Sequence, residues 1–280
     1  CTDLAATVGY PMQRLYGAEF TVAPLSVLVA PARARDLLEP LRSRGFCDDV
    51  QYILEKQLEE AELIVVTKAD QLDADERGSL CAELARRFPR AAVFAVSSRS
   101  GEGTAAWFRR VLFGKQVARA TMEVDYDRYA AGEAKLGWLN AVVGVSAERA
   151  FDPDALLLAL ATAMQLRLRD SGAAIAHLKL MIHRDGEGAD GSGVGSAHVV
   201  SNDAVAVTGI RLGRKVTAGR VVVNLRAEAD PEALAGSVSA AFLGLDPSLG
   251  IASEFGHLEF FRPGRPMPTH RDFLPDALAN

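Results

Sequence analysis

A chain of 280 residues that is 49% hydrophobic and 24% charged has ordinary globular composition and enough length for two domains and a well-buried core. Its net charge of -5 argues against a general nucleic-acid binder, and no apolar run approaches the roughly 18 residues of a membrane span. Three cysteines, Cys1, Cys47 and Cys81, stand far apart without a C-x-x-C pair, so neither a zinc knuckle nor a disulfide framework is expected and a reducing cytoplasm is the simplest compartment.

The chain opens on Cys1 and runs straight into apolar periodicity at Leu4, Val8, Met12 and Leu15. A mature lipoprotein would show a polar tether after its cysteine, so a cut inside a domain fits this start better. Residues 2–16 read as a helix with Thr2 or Asp3 as its cap. Val22–Ala30 is a nearly continuous apolar run closed by Pro31. Residues 33–43 and 48–61 have helical spacing. Glu62–Val66 reads as a short buried strand, 74–88 as a helix ended by Pro89, Ala91–Val96 as a second strand and 103–113 as a helix. Three apolar strands alternating with helices predict a parallel sheet covered on both faces.

Residues 116–125 read as a linker. Beyond it come a short helix over 126–136, a strand at Gly137–Val145, a long helix over 152–171 and a strand at Ile175–His183. The Gly-rich stretch Gly186–Ser196 precedes strand candidates at 197–201, 204–210 and 219–228. A helix follows Asp230-Pro231, and a last strand covers 251–261. This order predicts an α+β sandwich of ferredoxin-like type with an added strand. The Pro-rich tail, 265–280, is expected to be extended.

The sharpest local feature is Thr67-Lys68-Ala69-Asp70, directly after the strand ending at Val66. Ligands bind at the carboxyl ends of strands in α/β sheets. A carboxylate there accepts two hydrogen bonds from N1–H and the exocyclic amine of guanine, a donor pair adenine does not offer. The stem of Lys68 would cover one face of the base, and the hydroxyl of Thr67 would hold the loop. This is a T-K-x-D variant of the guanine motif of GTPases. The plainer alternative is that Asp70 caps the helix starting near Ala74 and Lys68 is solvated. The next strand ends in Ser97-Ser98-Arg99-Ser100-Gly101, where GTPases place an S-A-K-like loop whose backbone meets guanine O6. Ser98 takes the small-residue position and Arg99 the basic one. A polar turn with glycines at special φ/ψ is the alternative there. No G-x-x-x-x-G-K-[ST] occurs in the sequence, and Gly186–Gly191 lacks the following Lys-Ser/Thr.

Several strings resemble CobW-like proteins, which share their GTPase class with HypB and UreG. They are Cys1–Val8 with Pro11, Lys56–Glu62, the Thr67–Asp70 and Ser97–Arg99 loops, and Asp125–Asp127. Further on they include Glu133–Asn140, Ala176–Lys179 and Arg262–Arg271. The resemblance covers nearly the whole chain. It implies the C-terminal part of a P-loop NTPase sheet over 1–115, a linker over 116–125, a CobW C-terminal-like domain over 126–264 and a tail over 265–280. It also implies a soluble GTPase that uses GTP and Mg2+ and couples nucleotide state to delivery of a transition metal such as Zn2+ or Co2+ to a metalloprotein client. The site residues it carries over are Thr67, Lys68, Asp70, Ser97, Ser98 and Arg99. The family's Walker A loop and C-x-C-C metal motif are not in this sequence, so no catalytic and no metal-binding residue is assigned. The rival reading is a non-hydrolysing module that docks a metalloprotein client.

His177 and His183 fall on one face of one strand but roughly 20 Å apart, too far to share a metal; a partner ligand such as His198 or His257 stays open. Trp138 is expected in the second core and Trp107 against the first sheet. Leu156, Leu157, Leu160, Met164 and Leu168 form the core face of the long helix. Without an upstream segment, the isolated chain is expected to expose apolar sheet edges and associate.

Overall fold

In the computed structural model, residues 3–39, 46–115, 122–183 and 193–272 are described. The expectations for Cys1 and Thr2, for most of the linker and of the Gly186–Ser196 loop, and for the end of the tail lie outside them. The chain divides into two compact units, one made of 1–132 with 265–280 and the other of 133–264.

In the first unit a single π-helical turn, Ala5–Gly9, leads into α1 (Tyr10–Tyr16). Asp3 does not cap it. Its φ of 63° lies in the left-handed region, and its buried carboxylate accepts from Tyr126 Oη and Arg271 Nε, each at 2.6 Å. Only its backbone carbonyl serves the helix, accepting from Thr7 N at 2.9 Å. The helix start is served instead by Glu60, whose Oε1 accepts from Ala5 N at 2.6 Å.

Pro24 keeps the apolar run after Val22 from pairing along its whole length, and β1 is confined to Ser26–Val29. Pro31 then takes the first position of α2 (Pro31–Leu38), where its missing N–H costs nothing. After α3 (Asp48–Glu60) comes β2 (Leu63–Val66), then α4 (Ala74–Arg87), β3 (Ala92–Ala95) and α5 (Thr104–Phe113). The three strands pair in parallel in the order β1-β2-β3. The four apolar residues of β2 are all buried because it is the central strand. Ile64 and Val66 pack with Leu58 of α3, Leu37 of α2 and Leu80, Leu84 and Phe88 around α4. Cover on the opposite face is incomplete. Leu28, which pairs with Val65, is 54% exposed, and Phe108, Leu112 and Phe113 of α5 are also exposed. Trp107 does reach the sheet, donating from Nε1 to Ser26 Oγ at 3.1 Å.

Helix α6 (Tyr126–Lys135) precedes the second unit's first strand, β4 (Leu136–Phe151). Then follow α7 (Pro153–Asp170), β5 (Ala174–His183), β6 (Val194–Val199), β7 (Val207–Thr208), β8 (Val216–Glu228), α8 (Pro231–Leu243) and β9 (Ala252–Phe261). Six strands form one antiparallel sheet in the order β7-β6-β5-β8-β4-β9. Four of them, β5-β8-β4-β9, interleave the units β4-α7-β5 and β8-α8-β9 so that β4 and β5 flank β8, the split arrangement expected from the element order. Helices α7 and α8 pack on one face, where Leu139, Val143, Leu178, Leu180, Val221, Val223, Leu157, Leu160 and Met164 make a continuous core.

Trp138 is not in that core. It lies on the face away from the helices, where its ring stacks on Phe261 at 6.1 Å and carries the Arg226 guanidinium 4.4 Å from its centroid. Strand β4 carries apolar side chains on both faces, so alternation alone does not say which face meets the helices. His177 and His183 sit on that same outer face; His177 Nε2 is 2.5 Å from Asn224 Oδ1. The tail turns back instead of standing free. Arg271 pairs with Asp3, Arg14 with Asp272 at 2.7 Å, and Arg265 with Asp127 at 2.9 Å.

Candidate functional site

At the carboxyl end of β2 the chain leaves the sheet through two fastenings. Thr67 donates from its backbone N–H (2.9 Å) and its hydroxyl (3.3 Å) to the carbonyl of Val29, at the end of β1. Ala69 N–H donates to Val96 O, just past β3, at 3.0 Å. Lys68, between them, adopts a left-handed conformation at φ 55°, uncommon for a residue with a side chain. Burial of its stem pushes its ammonium pKa down, while the neighbouring Asp70 carboxylate acts in the opposite sense.

The second loop leaves β3 one strand over. Ser97 is completely buried. Its N–H donates to Glu102 O and its carbonyl accepts from Gly101 N, both at 2.9 Å. Its hydroxyl accepts from Ser100 N at 3.2 Å and lies close enough to the Asp70 carboxylate to favour its ionised form. That proximity holds the Asp70 carboxyl below its ordinary range; partial desolvation works against it, and the charges of Arg99 and Lys68 add to the lowering. Ser98 and Arg99 form the exposed turn that follows. Gly103 closes the loop at φ 72°, and a Cβ there would stand 2.1 Å from Ala95 O, so only glycine fits.

Two parallel strands thus deliver one carboxylate, a serine hydroxyl beside it, a guanidinium and a half-buried lysine stem to the same end of the sheet. Of the residues singled out from sequence, Lys68, Asp70, Ser97 and Arg99 are coupled directly. Thr67 anchors the loop to β1, and Ser98 lies on the exposed turn beside them.

The plainer alternative for Asp70 does not hold. Helix α4 is capped by Asp73, whose carboxylate accepts from Glu76 N at 2.8 Å while Glu76 Oε2 accepts from Asp73 N at 3.2 Å. This capping box leaves Asp70 unused by the helix. A D-x-x-E ahead of Ala74 is visible in the sequence, and reading it would have separated the two aspartates. The contact between Arg77 and Glu102, at 2.5 Å, was not legible. It ties α4 to the second loop across 25 residues, and no spacing rule connects them.

Among the described residues, no group of three or more His, Cys, Asp or Glu is placed to hold a metal ion, and no helix is long and apolar enough to cross a membrane. The class these observations define is a mixed α/β chain with a parallel three-stranded sheet and a separate antiparallel sheet. No family model matches the chain, and no curated protein matches it. Two solved structures are similar to it: Zn(II)-bound YjiA GTPase from E. coli and a Zn(II)-bound triple mutant of YjiA GTPase. Each is 18% identical, with 86% of this chain and 67% of the other covered, at TM-scores of 0.25 and 0.29 respectively.

Proposed function

We propose that the loops Thr67–Asp70 and Ser97–Arg99 together bind the base of a guanine nucleotide. Asp70 accepts from guanine N1–H and the exocyclic amine, the Lys68 stem covers one ring face, and the Ser98–Arg99 turn meets the O6 edge. One observation carries this reading. Asp70 lies beside Ser97 across the ends of two adjacent parallel strands, close enough for its carboxyl pKa to be lowered, and Asp73 relieves it of any helix-capping role. An exposed, fixed carboxylate that stabilises nothing else is a recognition group.

On this reading residues 1–115 form the nucleotide-binding part of a CobW-like GTPase, residues 126–264 a ferredoxin-like C-terminal domain and 265–280 its tail. Metal delivery to a client protein, with Mg2+ and the phosphates bound by residues outside those named here, completes the proposal. No residue of this chain is assigned to hydrolysis.

The test is base selectivity. Wild-type protein should bind GDP in preference to ADP, and Asp70→Asn should lose that preference by about 1–3 kcal/mol, the worth of one bidentate pair. The same variant should gain affinity for xanthosine diphosphate, whose C2 carbonyl accepts from the new amide. A guanine preference unchanged in Asp70→Asn would refute the assignment.

A further inference from the structure

The path from Asp70 into the helix that follows it is bonded through its backbone. Gln71 N–H donates to Lys68 O at 3.0 Å, Leu72 N–H to Ala69 O at 3.2 Å and Arg77 N–H to Asp73 O at 3.1 Å, so the first loop and the first turn of α4 are continuous. The second loop is shaped by bonds of its own. Besides those of Ser97, Glu102 N–H donates to Ser100 Oγ and Thr104 N–H to Gly101 O, both at 3.3 Å. These set the loop's shape but not its distance from the first loop. Its near end is fastened by the bond from Ala69 N–H to Val96 O. Its far end, at Glu102, meets Arg77 of α4, whose Nη1 stands 2.5 Å from Glu102 Oε1.

We infer, on the guanine reading above, that Arg77 and Glu102 are positioning residues of the base site: they set the gap between Asp70 and the Ser98–Arg99 turn, and with it the rejection of adenine. Guanine and hypoxanthine both present a carbonyl oxygen at C6, where adenine presents an amine. A backbone N–H of the turn donates to the oxygen but meets only another donor in the amine. Rejection therefore needs the turn held close, and a turn free to draw back tolerates the amine. Asp70 reads the other side of the base, where the exocyclic amine separates guanine from hypoxanthine. Its loop is fastened without Arg77, by Thr67 to Val29. The side chains of Arg77 and Glu102 are 31% and 53% exposed, a setting in which an ion pair adds little to stability. Helix α4 carries a second exposed pair of the same kind, Arg35 with Glu76 at 3.1 Å, which joins it to α2 instead of to a loop.

Competition binding on the full chain with GDP, inosine diphosphate and ADP tests this. Arg77→Met should cut the preference for GDP over ADP by about two- to fivefold, the range an exposed ion pair supports, and leave the preference for GDP over inosine diphosphate as in wild type. Glu102→Gln should do the same. Arg77→Glu should lose at least as much, and adding Glu102→Arg should restore the wild-type preference. Arg35→Met should leave both preferences unchanged, and circular dichroism and melting should be nearly unchanged throughout. A GDP-over-ADP preference in Arg77→Met equal to that of wild type, an equal loss in Arg35→Met, or a charge exchange that restores nothing would each overturn the inference. If Asp70→Asn loses base selectivity in the same assay, the guanine reading stands even when the inference falls; wild-type protein with no preference for GDP removes both.

Discussion

Ser97 is buried completely; its hydroxyl receives Ser100 N–H and lies beside the Asp70 carboxylate, whose pKa it lowers. Ser97→Ala removes both contacts and should cost about 1–2 kcal/mol in unfolding free energy, measured by denaturant titration. It should also let the Asp70 carboxyl rise towards its ordinary value. A carboxyl depressed in the folded state adds stability that is complete above its unfolded pKa and fades as pH falls through the lower folded one. Wild-type protein should therefore keep this contribution further into acid than Ser97→Ala does, and a carboxyl-resolved NMR titration of both would show it. The candidate residues of the two loops were readable in the sequence because strand end, charge and order coincide there. Ser97 was singled out with the second loop, but its complete burial was not legible, since a serine in a polar turn gives no sign of it.

At the scale of elements, the two aspartates three residues apart have separable duties. Asp73→Ala should destabilise the protein by about 1 kcal/mol through loss of the capping box and leave base preference intact. Asp70→Ala should do the reverse. Thermal melts and nucleotide competition on the two variants check the pair, and base preference lost equally in both would show that the loop and the helix cap act as one unit. Helices α4, α7 and α8 were legible nearly to the residue because Pro, Asp and Gly mark their ends. The strands were less so. The stretch over 204–210 reads as a full strand but its regular ladder is Val207–Thr208, with Gly209 and Ile210 adding backbone bonds to Ser196, because pairing depends on a neighbour the local pattern does not contain. Trp138 failed for a related reason: an apolar residue on a two-sided strand does not declare its face.

Over the whole molecule, the contact least visible in sequence is the clip between Asp3 and Arg271, 268 residues apart. Arg271→Ala leaves the nearly inaccessible Asp3 carboxylate with Tyr126 as its side-chain partner, and should cost about 1–3 kcal/mol. The segment 265–272 should then be cleaved faster in limited proteolysis; an unchanged rate would show that Arg14–Asp272 and Arg265–Asp127 suffice to hold it. The pairing of β4 has a consequence of its own for biosynthesis. Both neighbours of this strand, β8 and β9, are translated after it, and β9 begins at Ala252. At ribosomal rates of about 5–20 residues per second, β4 waits roughly 4–15 s until β8 is complete, and longer for β9. For that interval the nascent chain carries a sixteen-residue ribbon without a strand partner, and the six-stranded sheet is complete only after Phe261 has been made.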